Sequence, residues 1–268
     1  MIVIGEKING FIPKAYTAIK SHDVDYLVEL ARSQVRFGAD YLDICTGIVP
    51  EYERETMRWL IELVQDAVDV PVAIDSPDPQ VIVDMIPLAR RPGFVNSVSM
   101  EKGKCETVFP AVADTDWKII ALTCNNDGIP DSAQAKYELA AKMIEDASGY
   151  GITHDRLYID PLVGTLATRP DALADFNRTA LRIRKEYPDV HIISGMSNIS
   201  FGMPYRTAIA AQFLTLSMAV GADAAIMNPL SPEMRAALFA TDALLGFDRG
   251  GTRYIRGCQE GLYGSVRR

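Results

Sequence analysis

The sequence predicts a single (β/α)8 barrel on three observations. Short β-rich runs recur at a mean spacing of about 30 residues, helix-like segments separate them, and no linker-like stretch divides the chain. The runs are mostly apolar on both faces, as in a parallel sheet covered by helices. An open doubly wound sheet is the alternative arrangement of the same units.

In chain order the predicted strands are residues 2–4, 41–44, 72–74, 94–95, 118–122, 157–159, 191–193 and 224–227. Start and stop signals mark the helices between them. Asp23 precedes Leu27, Leu30, Ala31 and Val35 at one-face spacing, and both Asp78-Pro79 and Ser231-Pro232-Glu233 set a cap residue before a first-turn proline. Phe37-Gly38-Ala39-Asp40 and Val220-Gly221-Ala222-Asp223 each close a helix with glycine and enter a strand, a faint internal echo of one unit. The barrel is expected to occupy residues 1–245. Residues 246–268, with five Arg against Asp248 and Glu260, read as an irregular basic tail.

Composition narrows the function classes. The 268 residues are 48% apolar and 23% charged, and a formal charge of -8 disfavours nucleic acid or an anionic membrane as the main partner. No stretch approaches the roughly 18 apolar residues of a membrane helix, and Met1 leads straight into Ile-Val-Ile. Cys45, Cys105, Cys124 and Cys258 form no C-x-x-C pair, so they read as reduced thiols. A soluble, cytoplasmic protein is expected.

In a (β/α)8 barrel the C-terminal ends of the strands form the active-site face. The residues there are Glu6 and Asn9, Asp43 and Cys45, Asp75-Ser76, Asn96-Ser97, Thr123 to Asn125, Asp160, Ser197-Asn198 and Asn228. Taken singly, Asp43, Ser76 or Asn228 fits an ordinary turn or cap. A ring of carboxylates and amides is different, because left dry and unpaired it costs several kcal/mol. Histidine-bound metal is disfavoured: His154 and His191 precede or begin strands six and seven, and His22 precedes the first helix. No bound metal is expected, although an all-oxygen Mg²⁺ site stays open. Lys7 is the one strand-end lysine, a weak basis for Schiff-base chemistry. Cys45 and Cys124 could meet in the mouth, but two thiols without a third ligand read as plain barrel residues. What suits the ring is a flat heterocycle with adjacent ring N–H and amino donors. Asp75, Asn96 and Asp160 would meet its edge, since a carboxylate accepts two such hydrogen bonds side by side.

Five motifs carry a resemblance over residues 1–245. They are Gly5-Glu6-Lys7-Ile8-Asn9-Gly10, Ile74-Asp75-Ser76, Val95-Asn96-Ser97, Tyr158-Ile159-Asp160-Pro161-Leu162 and Gly195-Met196-Ser197-Asn198-Ile199-Ser200. In order and spacing the chain resembles the methyltetrahydrofolate:corrinoid protein methyltransferases, and is similar to the folate module of cobalamin-dependent methionine synthase. The resemblance implies that Asp75, Asn96 and Asp160 hold the pterin, that Gly195 and Ser197 shape its pocket, and that Asn198 hydrogen-bonds near the methylated ring nitrogen. Asp43 is a further pterin-pocket candidate, although Cys45 stands where the family often carries Asn. Arg206 falls in register for the folate tail or the partner, and equally for a surface ion pair.

The implied substrate is tetrahydrofolate or its methyl form, with cobalamin arriving on a separate corrinoid protein. The carrier signature D-x-H-x-x-G is broken here, since Gly195 comes one residue late after Asp189 and His191. Met196, Phe201, Met203 and Tyr205 are expected to border the mouth that receives the partner, and the family implies a homodimer. The direction of transfer is not legible. Two alternatives stand beside this reading: a dihydropteroate synthase-like condensing enzyme, disfavoured by Asp160-Pro161-Leu162-Val163-Gly164-Thr165 in place of a glycine-rich loop, and a non-catalytic folate-binding subunit.

Overall fold

A computed structural model describes residues 1–48 and 50–264. The strands are β1 (Ile2–Asn9), β2 (Tyr41–Cys45), β3 (Val72–Asp75), β4 (Phe94–Met100), β5 (Lys118–Asn125), β6 (Leu157–Asp160), β7 (His191–Ile192) and β8 (Ala224–Met227). They pair in parallel in the order β7-β6-β5-β4-β3-β2-β1-β8. The last seam closes just past β7. Asp223 N donates to Ile192 O (3.1 Å), Ile226 N to Ser194 O (3.0 Å) and Met196 N to Ile226 O (3.0 Å). The predicted barrel is therefore the observed one.

Ten α-helices lie on this frame among the described residues. Those covering the barrel are α1 (Pro13–Ser21), α2 (Val24–Arg36), α3 (Pro50–Ala67), α4 (Pro79–Met85), α5 (Lys104–Val112), α6 (Ala133–Gly149), α7 (Ala172–Glu186), α8 (Arg206–Ala219) and α9 (Pro232–Leu244). The predicted caps are present: Asp23 accepts from Tyr26 N, Asp78 from Gln80 N and Ser231 from Met234 N. Helix α1 was not anticipated, and it puts His22 between two helices rather than before the first. The last segment also differs from expectation. Residues 252–259 form α10 (Thr252–Gln259), whose start is tied down by Asp248 accepting from Arg253 N and Tyr254 N, while residues 265–268 lie outside the described residues.

A strand alternates its side chains between two faces, and closing the sheet turns one face into the barrel interior. Ile4, Ala73, Phe94, Ile120, Tyr158, Ile193 and Ala224 form one inner cluster, backed by Ile2, Tyr41, Leu122 and Ile226. The outward-facing Val3, Leu42, Ile44, Val72, Ile74, Val95, Ile159 and Ala225 belong to a larger core shared with the helices. At the N-terminal end Tyr41, Phe94 and Tyr158 pack edge to face at 4.7 Å, and His191 stacks on Tyr158 at 4.4 Å. This floor closes the bottom, and each polar strand-end residue sits two positions above it.

His191 anchors the seam, as a buried-strand histidine should. Its Nδ1 lies 2.7 Å from Asp223 Oδ2, which Arg184 also contacts, while Asp223 Oδ1 accepts from Ile192 N at 3.2 Å. Burial of Asp223 works against its charge, but the His191 hydrogen bond and the His191 and Arg184 charges outweigh it and hold the carboxyl below the usual carboxylate range. Such a group contributes stability above its unfolded-state pKa that is lost as pH falls through the lower folded value. Asp223→Asn is expected to lower unfolding free energy by about 2 kcal/mol at pH 7. In urea titrations the difference from the parent protein should shrink below about pH 4, where the parent loses the same charge.

Candidate active site

The strand ends open into a cavity of about 690 Å³ lined by Glu6, Asp43, Asp75, Asn96, Asp160, Gly195, Ser197, Asn198 and Arg206. All eight site residues expected from the sequence line it. Glu6 joins them; it was noted at a strand end without a role. The reason for its reach is local. Gly5 pairs with Leu42 and Ile8 with Ile44, so β1 carries one residue more than β2 across this stretch. The resulting bulge frees Lys7 N, which donates to Gln34 Oε1 at 2.9 Å, and β1 continues to Asn9 instead of ending at Ile4. A second bulge between Asn96 and Val98 lets β4 run on to Met100.

The mouth's first two loops meet backbone to backbone. Gly10 N donates to Cys45 O at 2.9 Å, and a Cβ on Gly10 would lie 1.9 Å from Thr46 O. Only glycine allows that approach.

On one side of the cavity Asp43, Asp75 and Asn96 form a connected group. Asn96 Nδ2 donates to Asp43 Oδ1 at 3.0 Å, and the Asp43 carboxyl and Cys45 thiol adjoin the Asp75 carboxyl. Burial and the neighbouring Asp75 charge push Asp43 well above the ordinary carboxylate range. Asp75 itself is pushed up to about 6, mainly by burial. Both shifts favour a shared proton between the two carboxyls. Beneath them Ser76 Oγ donates to the buried Glu53 at 2.7 Å, and Ser76 N to Asn96 O at 3.0 Å. Cys45 is buried beside these acids, and its thiol is raised by burial and by the Asp75 and Asp43 charges, so it is not a thiolate.

Across the cavity, Asp160 Oδ1 accepts from Leu162 N at 2.8 Å and Ser194 Oγ at 3.1 Å. Burial pushes Asp160 up to about 6 despite these hydrogen bonds. Asn198 opens a single 3₁₀ turn, residues 198–200, held from both flanks. Ser197 Oγ donates to Glu6 Oε1 and Oε2 at 3.0 and 3.3 Å, while Arg206 donates to Ser197 O at 3.1 Å and to Ser200 Oγ at 3.3 Å. Gly195 leaves room for the amide: a Cβ there would meet Asn198 Nδ2 at 3.0 Å. Burial raises Glu6, a shift opposed by the Ser197 hydrogen bond and the Lys7 and Arg206 charges.

The rim is open and aromatic, with Phe11, Phe201 and Tyr205 exposed at 80%, 51% and 75%. Arg206 stacks over Phe201 at 4.3 Å and donates to the turn carbonyl of Ser197. Met196, expected on the rim, is fully buried in the core, because Met196 N is committed to the β7–β8 seam. Among the described residues, no three His, Cys, Asp or Glu are grouped to hold a metal ion, and no helix is long and apolar enough to cross a membrane.

The sequence pattern of the pterin binding enzymes matches residues 13–228. The chain is 44% identical over 268 residues to the methylcorrinoid:tetrahydrofolate methyltransferase of Eubacterium limosum, with 99% of each chain covered. It is 30% identical to methionine synthase of Mycobacterium tuberculosis over 85% of this chain and 20% of that protein. Among solved structures, Yersinia pestis dihydropteroate synthase with a pterine-sulfa conjugate superposes with a TM-score of 0.69 at 17% identity, over 91% of this chain and 94% of that one. The Xanthomonas albilineans synthase with 7,8-dihydropteroate gives 0.66 at 20% identity, over 91% and 92%. At such identities these two share the fold alone. The five strand-end motifs, the cavity they build and the full-length relative lead to one conclusion: the chain belongs to the pterin binding enzyme family.

Proposed function

We propose that this enzyme transfers a methyl group between the N5 nitrogen of tetrahydrofolate and the cobalt of a corrinoid carried on a separate protein, with the methylcorrinoid as donor. The observation that carries the reading is the pairing of two opposed acids, the half-buried Asp75 and the buried Asp160, with an amide turn at the top of one open cavity. The named direction of the Eubacterium limosum relative supports the choice of donor.

The pterin's ring N–H and amino donors face carboxylates that accept two hydrogen bonds at once, at about 1.5–3 kcal/mol per charge-assisted bond. Asn96 accepts through Oδ1 while its Nδ2 stays on Asp43. Asn198 then works at N5. In tetrahydrofolate its carbonyl oxygen accepts the N5 hydrogen and orients the nitrogen lone pair toward the incoming methyl group. As the N5–C bond forms, the cobalt–carbon electron pair stays with cobalt and the N5 proton leaves to water. In the reverse direction the methyl group leaves to the cobalt, water returns the proton to N5, and the Asn198 NH₂ stabilises the departing nitrogen, so one neutral amide serves both ways by strengthening its hydrogen bond as charge develops. Phe11, Phe201 and Tyr205 offer the corrinoid protein an aromatic rim. The reading carries with it the homodimer implied by the resemblance and the cytoplasmic location expected from composition.

The direct test follows cobalt absorption with methylcobalamin and tetrahydrofolate, then with cob(I)alamin and methyltetrahydrofolate. Folate binding without either reaction would favour a non-catalytic subunit. Product from pterin pyrophosphate and aminobenzoate would favour the condensing enzyme.

Asn198→Ala is expected to reduce kcat about a hundredfold with little change in folate Kd. Asp160→Asn should instead weaken folate binding by roughly 10- to 100-fold, measured by calorimetry. Equal affinity losses at both positions would remove this division of roles.

The pH dependence has two signs. Binding needs ionised acceptors, so tetrahydrofolate affinity should rise as pH increases through about 6, the value set by Asp75 and Asp160 in the free enzyme, and then level off. Stability runs the other way, because a carboxyl with a raised folded-state pKa binds its proton more tightly in the native state. Asp75→Asn should therefore raise the thermal midpoint relative to the parent protein above pH 6. That advantage should fade toward about pH 4, where the parent carboxyl is neutral in both states.

A further inference from the structure

Lys136 is a buried lysine outside the cavity that the proposed chemistry does not use. It lies in the first turn of α6 with 2% of its surface exposed. Two costs attach to that position: an ammonium is taken out of water, and it sits at the helix end whose dipole favours negative charge. Burial and the Arg169 charge both lower its pKa, against the Asp175, Asp160 and Asp131 charges. Its hydrogen bond goes to a backbone carbonyl rather than a carboxylate, with Nζ 2.6 Å from Leu162 O.

Leu162 bridges Lys136 and Asp160. Its φ of 51° lies in the left-handed region, which disfavours residues with a Cβ. In that conformation its two peptide groups point in useful directions. The N–H donates to Asp160 Oδ1 at 2.8 Å, and the carbonyl receives Lys136. One backbone residue thus links a buried ammonium on α6 to the carboxyl at the end of β6.

We propose that Lys136 is a positioning residue for Asp160: it fixes the left-handed Leu162 turn that caps the carboxyl and supplies the positive charge behind it. The proposal rests on the pterin-binding reading only for its consequence, the acceptor function of Asp160. Around Asp160 the relevant groups are Lys136 from α6, Cys124 from β5, Ser194 after β7 and the Leu162 and Gly195 amides. The Lys136 charge favours the ionised form of Asp160.

The test reads the carboxyl directly. With aspartate labelled by ¹³C at the side-chain carboxyl, Asp160 is assigned by its loss in Asp160→Asn and titrated in the free, full-length protein. The expected midpoint is about 6. Lys136→Met keeps length without charge or donor, and Lys136→Gln keeps a donor for Leu162 without charge. Both should raise the midpoint, Lys136→Met more than Lys136→Gln. The acid limb of tetrahydrofolate binding should move in step, so that KM rises at pH 6 more than at pH 8. An unmoved Asp160 midpoint in both folded variants overturns the proposal. A midpoint that moves while the folate limb stays put upholds the Lys136–Asp160 link and counts against Asp160 as the pterin acceptor.

Discussion

The pleat of the barrel's inner face is the constraint on which the site depends. Side chains two residues apart along a strand share a face, so Tyr41, Ala73, Phe94 and Tyr158 in the floor place Asp43, Asp75, Asn96 and Asp160 directly in the mouth. The apolar layer does more than fill space. It removes water from beneath the acids, and that burial is the leading cause of the raised pKa at Asp43, Asp75 and Asp160. The site's readiness to accept hydrogen bonds and its cost to the fold arise from one arrangement.

The structure manages that cost by sharing protons and aiming amides. Asp43 and Asp75 face each other with both carboxyls pushed toward holding a proton, and Asn96, on the strand beside Asp75, donates to Asp43. Asp160 stands apart from them and relies on backbone and hydroxyl donors. The two sides therefore differ in character: a coupled acid pair opposite a single carboxylate with a fixed cap. A planar ligand bound between them meets one adjustable edge and one rigid edge.

Much of this was legible in the sequence because it follows from periodicity. Asp75, Asn96 and Asp160 end apolar runs, and their inward direction follows once the runs are read as barrel strands. Glu6 was harder: a period-two reading ends β1 at Ile4, and the bulge that carries it onward depends on Gln34, a helix residue remote in sequence. Met196 was misjudged because a methionine beside a loop looks like rim, whereas the seam between β7 and β8 takes its backbone into the core. Lys136 gave no signal at all, since a lysine in a helix's first turn is ordinarily solvated. Helix α10 was hidden by the glycines on either side of it, and Asp248 supplies from outside the helix the hydrogen bonds that its start requires.

The contact between Gly10 and the Thr46–Gly47 peptide divides the rim into two kinds of territory. Where backbones touch with no room for a methyl group, neither loop can lengthen, tilt or acquire a side chain without prising apart β1 and β2. The loops after β6 and β7 are joined differently, by Leu166 N donating to Ile199 O at 3.0 Å, and carry large side chains outward at Phe201 and Tyr205. Freedom to lengthen or vary a loop is thereby confined to one half of the circumference, while Phe11, next to the Gly10 contact, is held in a fixed place. The other half is a fixed datum against which the pterin end of the cavity keeps its shape.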